Sequence, residues 1–192
     1  MAYFLIIAAV LLRIAPHLSN YPALDAITRF LPNIPNFAPI AAMALFGGVY
    51  LNKKYALIVP LAAMIVSDLF IGFYNPWLMA SVYGSFIAIG LIGMWLKNNK
   101  TISNTIAATL TGSVLFFLVT NFIMWLIQPY MVQALYPQSL QGLLSCYTMG
   151  LPFFRNTLMG DIFYVTAMFA TAEAVMYVKS RVFESKEKNQ LI

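Results

Sequence analysis

Apolar residues run along this chain in long blocks separated by short polar or proline-bearing connections, and the blocks set the expected elements. The first covers residues 3–14, ahead of Pro16. The second, 37–51, takes Pro39 in its first turn, where a missing N–H does no harm, and ends at Lys53 and Lys54. A third block, 55–73, leads into Tyr74-Asn75-Pro76-Trp77, which reads as a tight turn, and a fourth covers 78–96. The fifth spans 104–127 and the sixth 156–178, ahead of a charged tail over 179–192. Two stretches break this rhythm. Residues 15–36 carry Pro16, Pro22, Pro32 and Pro35 and read as a surface loop with a helical turn around 23–30. Residues 128–154 are broken by Pro129, Pro137 and Pro152 and read as an interfacial segment, about 138–151, holding a short helix. The expected fold class is an all-α membrane protein, a single domain over 1–178 built as a six-transmembrane-helix bundle.

Composition agrees with a lipid solvent: 61% of residues are hydrophobic and 9% charged, against about a quarter charged in soluble domains. The excess of +5 is spread over short connections and the tail, which excludes a nucleic-acid face. Lys53 and Lys54, Lys97 and Lys100, and Lys179, Arg181, Lys186 and Lys188 occupy alternate connections. The positive-inside rule therefore places both termini in the cytoplasm. The first block lacks a preceding basic residue and a cleavage pattern, so it is expected to stay as a helix. One cysteine, Cys146, excludes an internal disulfide, and one histidine, His17, excludes a multi-histidine metal centre. No metal or cofactor is expected. No nucleophile, zinc or nucleotide motif is present, so the chain is not expected to be an enzyme.

A charge at the bilayer centre costs about 2.5–3.5 kcal/mol on insertion scales, which singles out a few side chains. Asp68 near the end of the third block, Asn121 near the end of the fifth, and Arg155, Asn156 and Asp161 at the head of the sixth are expected at one level, in the outer half. Each continues a helical stripe, for example Ser113, Phe117, Asn121, Met124 and Gln128. Trp125 and Tyr164, one turn from Asn121 and Asp161, are expected to pack a ligand, with Tyr83 and Phe37 among the aromatics at that level, Asn36 touching it from above, and the loop histidine His17 beside Asn36 expected to be solvated. The alternative is structural: Asp68 pairs with Arg155 or with backbone groups, Asp161 caps the sixth helix, and Asn121 bonds a neighbouring helix. Glu173 is expected to snorkel to the cytoplasmic headgroups. Small residues four apart, such as Ala44 and Gly48 or Ala80, Gly84 and Ala88, are expected at close helix contacts.

Several linked motifs resemble a known family. They are Pro35-Asn36-Phe37-Ala38-Pro39-Ile40-Ala41-Ala42-Met43-Ala44-Leu45-Phe46-Gly47-Gly48, Pro60-Leu61-Ala62-Ala63-Met64 with Ser67-Asp68, Gly112 to Phe117 with Thr120-Asn121-Phe122, Cys146-Tyr147, and Pro152-Phe153-Phe154-Arg155-Asn156-Thr157 with Gly160-Asp161. Together these resemble small bacterial membrane proteins similar to the substrate-binding S-components of energy-coupling factor vitamin transporters. The resemblance implies an S-component fold in the bacterial inner membrane and a vitamin-like small-molecule substrate bound near the outer face. It also implies an energy-coupling module as a partner. Solitary cobalamin-type S-components are the nearest of these, so a cobalamin-like compound heads the expected substrates. The region 80–85 has no cysteine to ligate cobalt. A non-transporting assembly or accessory subunit is the other reading.

Overall fold

The computed structural model describes residues 2–18, 39–131 and 134–190. These residues are all-helical, with six α-helices: α1 (Ala2–Leu18), α2 (Ile40–Tyr50), α3 (Ile58–Ile71), α4 (Pro76–Asn98), α5 (Ile102–Ile127) and α6 (Leu140–Gln190). A 3-10 turn, Gln128–Tyr130, follows α5. Three stretches, Pro76–Asn98, Ile102–Tyr130 and Leu140–Val182, are long and apolar enough to cross a membrane. The helices α2 and α3 are apolar but shorter.

The short helix α2 is the centre of the bundle. It touches all five other helices, and every residue from Ala41 to Val49 is buried. A helix that is apolar on all sides has no solvent face to present, so it is enclosed by its neighbours. Its tightest approach is to α4: a Cβ added at Gly48 would lie 2.7 Å from the Gly93 Cα. Two glycines facing each other let the backbones meet, as small residues do in lipid-embedded bundles. Of the expected small-residue faces, the one with Ala44 and Gly48 is at this crossing; Gly84 has nothing within 4 Å.

Local chemistry explains three of the helix ends. Asn75 accepts from the Trp77 and Leu78 N–H groups at 3.0 and 3.4 Å, and Pro76 follows as the first residue of α4. Thr101 caps α5 through the Asn104 N–H at 3.1 Å. The end of α3 is fixed by Gly72, whose φ of 103° is open to glycine and strained for other residues.

Two expected boundaries are corrected. The helix α1 continues past Pro16 to Leu18. More consequentially, the expected interfacial segment and sixth helix are one helix, α6, with Pro152 inside it. Proline removes one helical hydrogen bond but does not end a helix that neighbours hold in place. Here α5 holds it on both sides of the proline: Tyr147 Oη donates to the Leu118 carbonyl at 2.9 Å, and the Phe117 ring lies 4.7 Å from Phe154. Gln128, fully buried, organises the turn between the two helices by accepting from the Leu135 and Tyr136 N–H groups, each at 2.7 Å.

At the opposite end of the bundle, Lys97 Nζ donates to the Leu51 carbonyl at 3.0 Å. Lys100 and Tyr50 both bond the Glu173 carboxylate, Tyr50 at 2.6 Å. Glu173 therefore joins α2, the α4–α5 connection and α6 instead of reaching outward alone.

Candidate functional site

A cavity of about 500 Å³ opens at the end of the bundle where α1 finishes, α3 turns into α4, and α5 turns into α6. Among the described residues six aromatic rings line it, with two close pairs: Phe86 with Phe116 at 5.3 Å between centroids, and Phe117 with Phe154 at 4.7 Å. Polar groups are few: Arg13, Tyr74, Thr120, Asn121 and Thr157. This is the usual make-up of a small-molecule site, mostly apolar with a small number of orienting polar atoms.

The orienting atoms are held by their own helices. Thr120 and Thr157 donate their hydroxyls to the Phe116 and Phe153 carbonyls at 2.7 and 3.1 Å, leaving lone pairs free for a ligand. Asn121 Nδ2 donates to the Phe117 carbonyl at 2.8 Å, which fixes the amide and leaves its Oδ1 and second N–H. A Cβ at Gly150 would lie 2.5 Å from that Oδ1, so glycine is what allows α6 to close against Asn121.

Among the described residues, Arg13 contributes the only charged side chain of the lining, and that charge is already committed. Its Nη2 meets Asp68 Oδ1 at 2.6 Å, and its Nη1 donates to Ser67 Oγ and to the Met64 carbonyl. Tyr83 Oη donates to the second oxygen of Asp68 at 2.5 Å. With Asp68 only 1% exposed, this cluster ties α1, α3 and α4 together behind the cavity wall. Burial, and after it the Asp68 carboxylate, raise the pKa of the nearby Tyr74 phenol, with Arg13 opposing. Tyr74 therefore presents a neutral hydroxyl at the rim.

The expected site residues divide sharply. Asn121 lines the cavity. Asp68 and Tyr83 stand behind it, and the arginine partner of Asp68 is Arg13, not Arg155. Arg155 is exposed on α6. Asn156 and Tyr164 are partly buried and each makes an interaction, but neither lines the cavity. Trp125 turns to the connection, where its Nε1 donates to the Pro137 carbonyl at 3.1 Å. Asn36 and Phe37, together with the side chain of His17, lie outside the described residues.

Asp161 is deeper than expected because α6 starts at Leu140. At 1.5 Å per residue it is about 30 Å along that helix. It is 2% exposed and accepts from Ser113 Oγ at 2.7 Å. Alanines, Leu45, Ile89, Val165 and Thr109 surround it in a void of about 10 Å³, one turn below Thr157. The single level expected for Asp68, Asn121 and Asp161 is thus two levels.

A larger hollow, about 780 Å³, lies on the flank between α5 and α6 near Lys100 and Glu173. It is a groove with exposed residues such as Ile102, Ile106 and Ile162, of the kind lipid tails fill; its polar side chains are threonines along the two helices and the bonded Lys100–Glu173 pair at one end, and among the described residues Phe169 is the one ring in its lining. Among the described residues, no group of three His, Cys, Asp or Glu side chains converges to hold a metal. No curated protein and no solved structure matches the chain. A family model matches residues 1–185, and the chain belongs to that family, a family of unknown function (DUF6580).

Proposed function

We propose that this protein is a multi-pass membrane protein of S-component type, with both termini cytoplasmic. In this reading it takes up a vitamin-like micronutrient from the outer face of the bacterial inner membrane. The observation that carries the proposal is the cavity of about 500 Å³ at one end of the bundle, with Asn121, Thr120 and Thr157 presented between aromatic pairs. The positive connections lie at the other end, where Lys97 and Lys100 make their bonds. The positive-inside rule then turns the cavity outward. Its volume favours a ligand well below a corrinoid in size. In this mechanism the ligand docks between the rings, is oriented by the amide and hydroxyls, and is released inward by rearrangement of the bundle, with or without an energy-coupling module.

The second reading, an accessory subunit with structural polar residues, draws on Asp68 and Asp161, both of which are paired to protein groups. An open, polar-spotted cavity has no part in that role. Purification in detergent, with mass spectrometry of co-purified small molecules and a thermal-shift screen of vitamins, separates the two. Transport predicts a bound compound or a stabilising vitamin, and a weakened response in Asn121→Ala. An empty protein unmoved by every candidate favours the accessory role.

A further inference from the structure

We infer that the ligand of this cavity is an uncharged compound built on a flat aromatic ring, with hydrogen-bonding groups at its edge. The inference rests on the proposed function and adds the chemical class.

Two observations carry it. The first is the ring lining: Phe86 with Phe116 and Phe117 with Phe154 form two pairs, joined by Phe153 and Tyr74 around the same space. Aromatic faces gain most from another ring placed in offset or edge-on contact, beyond the area they bury. The second is the state of Arg13, the only charge in the lining among the described residues. Arg13 is 12% exposed and its partner Asp68 1%. Both Asp68 oxygens are taken, one by Arg13 and one by Tyr83. An anionic ligand reaching Arg13 would approach a buried carboxylate as well. Drawing the guanidinium away would leave Asp68 buried and uncompensated, the costly outcome for any buried pair. A cationic ligand would meet Arg13 as a like charge, with no free carboxylate among the described lining residues to offset it. What remains for recognition are neutral groups: the Thr120 and Thr157 oxygens, the Asn121 amide and the Tyr74 hydroxyl.

The test uses the full chain in detergent and probes of matched skeleton in charged and uncharged form. These are aromatic amides and the corresponding carboxylates with one, two and three fused rings, and a saturated cyclohexane carboxamide as control. Binding is read by thermal shift and by competition with any co-purified ligand. Aromatic amides are expected to bind about tenfold or more tightly than their carboxylates, and the saturated amide weakest. In Asp68→Asn, which frees Arg13 from its counter-ion, the preference is expected to fall or reverse toward the carboxylate. In the double variant Arg13→Gln/Asp68→Asn, which removes both charges and keeps polar side chains in their place, amide and carboxylate are expected to differ less than in the unmodified chain. A carboxylate preference in the unmodified chain overturns the inference and leaves uptake standing. So does a non-aromatic co-purified ligand with every aromatic probe silent. Silence from all probes and an empty preparation overturn both.

Discussion

Asp68 and Asp161 are both buried carboxylates on apolar helices, and their surroundings have little in common. Asp68, beside the cavity, has a guanidinium on one oxygen and a phenol on the other, drawn from α1 and α4. Asp161, in the closed half of the bundle, has one serine hydroxyl as its partner and, apart from Thr109, small or alkyl side chains around it. The first arrangement ties three helices behind a hollow that would otherwise leave them poorly packed. The second joins only α5 and α6, in a region where glycines and alanines already bring the backbones together. Polar bonding therefore supports the open half and close packing the other.

The largest expected effect comes from breaking the cluster. Asp68→Ala leaves Arg13 buried without its counter-ion and is expected to cost about 3–5 kcal/mol. Asp161→Asn retains an acceptor for Ser113 and is expected to cost less than about 1 kcal/mol. Unfolding in mixed micelles measures both, and equal losses would erase the distinction. Next comes the packed half: Gly48→Ala forces a methyl against Gly93 and is expected to cost about 1–3 kcal/mol. Gly84→Ala, into open space, is expected to be neutral or to stabilise by up to about 1 kcal/mol. A smaller effect, and one on binding, is expected at the cavity. Asn121→Leu removes one oriented amide and is expected to weaken the bound ligand about tenfold, by competition binding, with little change in unfolding. Smallest is Trp125→Phe, which loses the bond to Pro137. It is expected to cost about 1 kcal/mol or less in stability and to leave ligand affinity unchanged.

Much of the helical order is legible from apolar blocks and caps. Asn75-Pro76 marks the start of α4, and Asn121 falls on the stripe with Phe117 and Met124 that faces the cavity. Pro152 misleads because proline ends helices in water, whereas here the Leu118 carbonyl and the Phe117 ring of α5 hold α6 on both sides of it. That one boundary moved Arg155, Asn156 and Asp161 away from the mouth. Arg13 was legible but overlooked: it shares a face with Ile6 and Ala9, 2% and 4% exposed, so its side chain was bound inward toward a carboxylate. The pairing of Phe86 with Phe116 depends on how α4 and α5 cross, which no local pattern in either helix encodes.

The most direct test fills one hollow at a time. Thr120→Trp places an indole in the aromatic cavity, and Thr166→Trp places one in the flank groove between α5 and α6. With mass spectrometry of the bound small molecule as the readout, ligand is expected to be lost from Thr120→Trp and kept by Thr166→Trp, both folded. Retention of the ligand by Thr120→Trp, or its loss only from Thr166→Trp, would contradict the assignment of the site.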